Sequence, residues 1–316
     1  MKKKLLSVIA LTVATSFVLS GCGGETTMTF GTGGTTGTYY TVGGTMATVL
    51  NDTMEHVDLK VVSTGASKAN IFDIEDGVSD IAIVQNDVMD YAYKGEMLFA
   101  EDGVVDSFQA IAAIYDETCQ IISGTDINSI EDLKGKTVNV GDAGSGVEFN
   151  ATQILAAYGI DINKDINKVN GSFGDAADSI KDGKIDAAFI TAGAPTTAVV
   201  DLSLAKDIKL LEIDDAHAEQ LMSEYPFYTK TIIPGGTYTG VDEDAQTLSV
   251  QATLIASADL SEDAVYELTK ALFENKDALV NSNAKFGELD VEKAVKGISV
   301  PFHAGAEKYF KEVGVL

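Results

Sequence analysis

The sequence predicts an α/β fold of two similar lobes, each a sheet flanked by helices, with a ligand cleft between them. Three observations carry that expectation. Short β-branched runs alternate with longer helical patterns, which implies parallel sheets covered on both faces. A Gly-x-x-Asp turn stands twice before an apolar strand, as Gly77-Val78-Ser79-Asp80 and again as Gly183-Lys184-Ile185-Asp186. Gly-containing breaks at 31–37, 141–146 and 193 sit where strands hand over to helices.

In chain order the helical pattern 40–54 follows the first glycine break and leads to a strand at 59–63. A helix at 66–77 and the first Gly-x-x-Asp turn then precede the strand 81–85 and the helix 87–93. Two β-branched runs, 111–114 and 120–123, read as separate strands, and 129–133 as a short helix. The second block repeats the first: strand 137–140, helix 147–158, helix 174–182, strand 187–191, helix 196–204 and strand 208–212. Thr247 opens one more strand, 247–257, before the amphipathic helix 262–275, with Ser261 as N-cap and Glu262 and Asp263 in the first turn. Chain crossings near 120–124 and 249–257 put 29–119 with 250–316 in one lobe and 120–249 in the other. Ligands in open parallel sheets bind at the carboxyl ends of strands, so the cleft belongs there.

Composition narrows the function. The chain has 316 residues, 48 Asp plus Glu and 22 basic residues, all of them Lys, for a formal net charge of -26. A nucleic-acid binder needs a clustered Lys/Arg footprint, and this chain has no Arg. Its hydrophobic fraction of 45% is that of a globular domain, so the acidity belongs to a folded surface. Lys2, Lys3 and Lys4 precede an apolar run over 5–18 and then Leu19-Ser20-Gly21-Cys22, which reads as a secretory signal over 1–21. That run is too short to span a bilayer core of roughly 30 Å as a helix. Cys22 behind Leu-Ser-Gly resembles the lipobox of bacterial lipoproteins, which implies a lipidated tether over 22–28 and an extracytoplasmic protein held to the membrane by lipid. Cleavage leaves 19 Lys against 48 acids, 19 − 48 = −29. Cys119, alone in an apolar stretch, reads as a buried, inert thiol.

Catalytic and metal patterns do not complete. His56, His217 and His303 lie far apart in sequence, so zinc spacings are absent, and no metal or cofactor is expected. The segment 161–172 has Ile166 where a calcium loop needs Gly. Gly135-Lys136-Thr137 lacks the first Gly of a phosphate loop, neither glycine loop completes GxGxxG, and no GxSxG elbow occurs. The chain is therefore read as a binding protein and not an enzyme. An exported hydrolase would need a nucleophile with a base, which the sequence does not offer.

Binding belongs to the Gly/Thr/Ser loops. The loop 31–40, GTGGTTGTYY, exposes backbone N–H groups and the hydroxyls of Thr35, Thr36, Thr38, Tyr39 and Tyr40. The loop 141–148, GDAGSGVE, opens a helix, whose free N–H groups and dipole attract an anion by about 0.3–1 kcal/mol when exposed and up to ~2 when partly buried. Ser63-Thr64-Gly65-Ala66-Ser67 and Thr191-Ala192-Gly193-Ala194-Pro195 repeat the arrangement. Glycines that merely make tight βα turns account for any one loop. Four such loops rich in hydroxyls point to one shared anion site.

At this point the chain resembles the TAXI family, the extracytoplasmic solute receptors of one class of TRAP transporters. The residues that carry the likeness are GTGGTTGTYYTVGGTMATVL (31–50), VVSTGASKANI (61–71), GVSDIAIVQNDVMDYAYKG (77–95), DLKGKTVNVGDAGSGVEFNATQIL (132–155), SIKDGKIDAAFITAGAPTTAV (179–199), YPFYTKTIIPGGTY (225–238), YELTKALFEN (266–275) and VPFHAGAEKYFKEVG (300–314). The resemblance implies a type II-like, two-lobed periplasmic-binding-protein fold. It also implies a small organic acid or amino acid, such as glutamate or another dicarboxylate, delivered to TRAP membrane permease subunits. The expected ligand contacts are Thr35, Thr36, Tyr39, Tyr40, Thr64, Gly65 and Gln85 from one lobe, and Ser145, Gly146, Val147, Glu148, Thr191 and Gly193 from the other, with Tyr238 as an aromatic wall beside Tyr225 and Tyr228. Val147 stands where the family often has Thr, and Lys68 where it is usually uncharged or acidic. Glu148 beside an anion site either accepts a ligand amino group or caps its own helix. A lipid-anchored sensor using the same fold without transport is the alternative reading.

Overall fold

The computed structural model describes residues 26–124 and 126–316. Cys22 and the segment read as a signal lie outside them. The first lobe alternates β1 (Thr26–Gly31), α1 (Thr38–Leu50), β2 (Val57–Val62), α2 (Ser67–Glu75), β3 (Ile81–Gln85) and α3 (Asn86–Lys94) before the long β4 (Phe108–Ser123). The second lobe runs β5 (Thr137–Asn139), α4 (Gly146–Ala157), β6 (Asn167–Val169), α5 (Phe173–Lys181), β7 (Ala187–Ala192), α6 (Thr197–Ala205), β8 (Lys209–Leu210), α7 (Asp215–Glu224) and β9 (Thr229–Ile233). The long β10 (Ala245–Ser257) returns the chain to α8 (Glu262–Glu274), α9 (Lys276–Ser282) and α10 (Ala304–Glu312) on the first lobe.

The strand order is β2-β1-β3-β10-β4-β7-β5-β6, with β8 on β4 and β9 on β10. The long strands serve both lobes. β4 faces β10 from Phe108 to Thr118 and then β7 from Thr118 to Ser123, while β10 faces β9 through Ser249 and β3 from Ala252 to Ala256. These two strands run antiparallel to their neighbours, so each half is a mixed sheet and not the purely parallel one expected from strand and helix alternation.

Burial follows the two-residue period of a strand covered on both faces. On β3, Ile81 and Ile83 pack with Phe30, Leu254, Leu268 and Phe310 on one side, while Ala82 and Val84 pack with Ile71, Met89 and Ile255 on the other. On β7, Ala187 and Phe189 join Ile121, Val138 and Ile154, and Ala188 and Ile190 join Ile122, Ile180 and Val199.

The repeated Gly-x-x-Asp turn has the same structure in both lobes. Gly77 and Gly183 adopt φ of +68° and +70°, where a side chain is disfavoured. Asp80 then accepts the Thr29 N–H on Oδ2 at 2.7 Å and donates its own N–H to Thr29 O at 2.9 Å. Asp186 does the same with Thr137, at 2.8 Å and 2.8 Å. Each carboxylate thus ties the strand it begins to the strand beside it. Asp80→Ala leaves a half-buried N–H without its acceptor and is expected to cost about 1–3 kcal/mol in urea unfolding, with Asp186→Ala similar. A cost below a few tenths of a kcal/mol at both sites would make the turns ornamental.

Several boundaries differ from expectation. The runs 111–114 and 120–123 are one strand, β4, because Asp116 and Glu117 interrupt the apolar pattern without interrupting the ladder. β1 begins at Thr26, inside the stretch 22–28 read as tether, because its backbone pairs with β2 from Thr26↔Val57 onward. The segment 129–133 forms only a 3-10 turn over Glu131–Leu133, and α7, α9, α10, β6 and β9 were not read from the sequence. Ser261 does cap α8, accepting the Ala264 N–H at 3.3 Å.

Candidate functional site

The carboxyl ends of β1, β2 and β3 in one lobe and of β5 and β7 in the other face a common gap, which closes around a cavity of about 40 Å³. Gly33, Gly34, Gly37, Thr38, Tyr39, Ala66, Ser67, Gln85 and Glu117 line it from the first lobe and the β4 crossing. From the second lobe come Asp142, Ser145, Gly146, Val147, Phe173, Thr191 and Ala192. The first residues of α1, α2, α4 and α5 are among them, and Gln85 immediately precedes α3, so several helix N-termini converge on one small volume. Ser145 and Ser172 cap α4 and α5 with their hydroxyls, whereas α1 and α2 begin without a side-chain cap. Their first-turn N–H groups are the donors left over for a ligand.

Ala66, the residue before α2, adopts φ 65° and ψ -151°, a region normally left to glycine. Holding it there costs on the order of 1–3 kcal/mol. The Ala66 N–H donates to Thr64 Oγ1 at 3.1 Å and its carbonyl accepts the Asn70 N–H at 2.8 Å, so the strained residue is pinned at the cavity wall.

The charged groups at the cavity are acids. Glu117 is 1% exposed, and burial pushes its carboxyl up to about 8. The Tyr39 hydroxyl donates to Glu117 Oε1 at 2.6 Å, and burial with the nearby Glu117 charge holds that phenol well above its ordinary range. Asp142 is raised by burial and by Asp175. Behind Gln85, burial lifts Asp87 to about 6, against a hydrogen bond from Asn150 Nδ2 at 3.2 Å. Burial also pushes the Cys119 thiol up to about 12, which makes it unreactive.

The lobes touch across the gap. Thr38 Oγ1 donates to Gly193 O at 3.1 Å, Lys285 Nζ to Ala194 O at 2.9 Å, and the Ala198 N–H to Thr36 O at 3.4 Å. Asn150 on α4 reaches Asp87 on α3, and Gly146 packs directly on the Gln85 side chain.

Six of the residues expected at the site line this cavity: Tyr39, Gln85, Ser145, Gly146, Val147 and Thr191. The others lie elsewhere, each for a visible reason. Thr35 is exposed on the loop, and Tyr40, half-buried on α1, is not part of the cavity wall. Thr36 and Gly193 bridge the lobes through backbone carbonyls. Thr64 spends its hydroxyl on Thr32 O and Asn70 Oδ1, and Gly65 is exposed beside it. Glu148 accepts from the Gly144 N–H, Lys168 Nζ and Asn170 Nδ2, contacts that outweigh burial and lower its pKa, so it holds its own loop. Tyr238 is buried within the second lobe, where its hydroxyl bonds Gln120 and accepts the Thr196 N–H at 2.9 Å. Lys68 is likewise engaged, with Asp102 Oδ2 at 2.5 Å, Leu98 O and the Phe99 ring.

Sequence reasoning missed Glu117, Asp142 and Phe173. The signal for Glu117 was present as an acidic pair set in the middle of FQAIAAIYDETCQIIS, where a long apolar strand has no structural need of one.

Residues 30–314 match the family described as NMT1-like. The fold is similar to PhnD1 of Prochlorococcus marinus, solved with methylphosphonate, at 12% identity over 92% of this chain and 99% of that one, with a TM-score of 0.56. It is also similar to the periplasmic aliphatic sulphonate binding protein SsuA of Escherichia coli, at 13% identity, 90% and 82% coverage and a TM-score of 0.52. A third likeness is to a putative L-cystine ABC transporter protein of Listeria monocytogenes, at 17% identity, 82% and 95% coverage and a TM-score of 0.50. At these identities the likeness shows a shared fold, that of the two-lobed periplasmic binding proteins.

Proposed function

The chain belongs to the NMT1-like family, and from that footing we propose that it is the solute receptor of a membrane import system, taking a small organic acid or amino acid between its lobes. The observation that supports this best is the convergence of strand ends and helix N-termini from both lobes on one cavity, those of α1 and α2 in the first lobe without a side-chain cap. The neighbouring Cys119 thiol is held protonated, which supports binding over nucleophilic chemistry at this site. Ligand contacts made by both lobes favour the closed form, and β4 and β10 are the strands about which the bodies 29–119 with 250–316 and 120–249 swing.

The sequence likeness to TAXI receptors supports TRAP permease subunits as the partner and glutamate or a related dicarboxylate as the first ligands to try. Lipid on Cys22 would keep the receptor at the membrane; among the described residues no helix is long and apolar enough to cross one. A cavity of about 40 Å³ holds roughly three waters, so glutamate requires the lobes to close less tightly than they do here. Calorimetric titration of the purified protein with glutamate, 2-oxoglutarate, C4 dicarboxylates and small amino acids tests the receptor. Saturable one-to-one binding of at least one is expected, and silence from the whole panel would sink the reading. Uptake that depends on a TRAP permease, and not on an ATP-driven one, tests the partner.

A further inference from the structure

Resting on that receptor reading, we infer that Glu117 is the seat of a ligand ammonium group, so that the substrate class is the α-amino acids and not the dicarboxylates. Glu117 sits where the long strands cross, paired in register with Val250, and forms part of the cavity wall. A carboxyl taken this far from water needs a paired cation or a proton. Among the described residues no cation pairs with it. The Lys285 ammonium acts on it, but that group is already bonded to Ala194 O and to Glu288 Oε1 at 2.7 Å.

What the protein does offer favours the ionised form. Tyr39 donates to one oxygen, and the Gln85 amide lies close enough to help. Gln85 itself is 2% exposed and lines the cavity, yet its Oε1 has no hydrogen-bond partner. The Glu117 carboxyl in the wall is an acceptor, and the orphaned Gln85 Oε1, which faces Gly146, is a second one on the same wall, which calls for a group carrying N–H donors and positive charge. Elsewhere in the wall the starts of α1, α2 and α4 supply backbone N–H donors, with the Asp142 carboxyl and the Phe173 ring beside them. Acceptors and donors facing each other across so small a volume match a group that bears ammonium and carboxylate on one carbon. A dicarboxylate would set its own charge against Glu117 and leave Gln85 Oε1 unpaired.

The test compares amino acids with their deaminated counterparts on the purified protein: L-glutamate with glutarate, and L-alanine with propionate, against wild type and Glu117→Gln. In at least one pair the amino acid is expected to bind wild type a hundredfold or more tighter than its partner. Glu117→Gln keeps an acceptor for Tyr39 and should remove most of that ratio without weakening the deaminated acid. A wild-type pH series needs no variant. The groups acting on Glu117 are Tyr39 from α1, Tyr115 on its own strand, Asp87 from α3 and the Lys285 ammonium. Tyr39 and Tyr115 stay protonated and Asp87 titrates near 6, so between pH 6.5 and 8.5 Glu117 dominates. Amino-acid affinity should be flat there, because the ammonium replaces the proton. A deaminated acid must bind together with a proton on Glu117, and its affinity should fall up to about tenfold per pH unit. Equal affinities within every pair, an unchanged ratio in Glu117→Gln, or amino-acid affinity that falls as steeply with pH overturns the inference and leaves the receptor standing. Failure of all four compounds to bind overturns the receptor reading itself.

Discussion

Gly146→Val is expected to weaken binding of whichever ligand the wild type takes by about a thousandfold, or ~4 kcal/mol, while the unliganded protein melts within a degree or two of wild type. Gly146 opens α4 and presses on Gln85 across the gap between lobes. A Cβ there would overlap Gln85 Oε1, lie 2.6 Å from its Cδ and 3.0 Å from Val88 Cγ2. Gln85 is 2% exposed, so its side chain has little room to swing away. Overpacking of this kind costs about 1–3 kcal/mol by itself, and the isopropyl group also occupies part of a cavity of only about 40 Å³. With the lobes apart the added methyls face solvent, which is why unliganded stability should hold. Gly146→Ala should lie between the two. Calorimetry and a melting curve on the same samples check both halves, and binding within tenfold of wild type would show that the lobes do not meet at Gly146 when ligand is present.

The backbone of this site was more legible in the sequence than its charges. The glycine loops, the helix after Ser145 and the paired Gly-x-x-Asp turns announce themselves because each satisfies a local rule: a positive φ, a cap, a strand register. Tyr39, Gln85, Ser145, Gly146, Val147 and Thr191 could be placed by that logic because each lies on or beside a strand-to-helix handover. Glu117 could not. It lies inside a strand, and what makes it unusual is its burial against α1 and α3, elements 23 or more residues away in sequence. Glu148 takes the second of the two roles open to it, holding the start of its own helix. Its position beside the anion loop was read correctly, but Lys168 and Asn170, which take up its carboxylate, come from a strand edge that local pattern does not connect to it. Long-range pairing of charges is therefore where sequence reasoning ran out.

Acid is expected to close the empty receptor. The closed form buries Asp87 between α3 and α4 and Glu117 at the strand crossing, and raises them to about 6 and about 8. With the lobes apart, water reaches both and they titrate near the ordinary carboxylate range of about 4. The closed form then binds more protons than the open one, so closure is favoured as pH falls. The penalty for burying the two charges is absent below about pH 4, grows between pH 4 and 8, and is complete above; at about 1.4 kcal/mol per pKa unit it is on the order of several kcal/mol. A protonated Asp87 becomes a donor, and Asn150, whose Oδ1 has no partner, can turn its amide to accept that proton. The radius of gyration of the unliganded protein, measured by solution scattering, should therefore shrink from pH 8.5 to pH 5. Acid also relieves the repulsion within a chain of charge -26. Asp87→Asn separates the two effects, because it removes the local response of Asp87 and leaves the global charge almost unchanged. A radius that stays constant in wild type, with secondary structure intact, would mean that neither carboxyl resists closure. If both do, a proton at acid pH and a ligand ammonium at neutral pH satisfy Glu117 in the same way, and the ligand closes the lobes because it brings the positive charge that the protein, with no Arg and its nearby Lys engaged, does not supply.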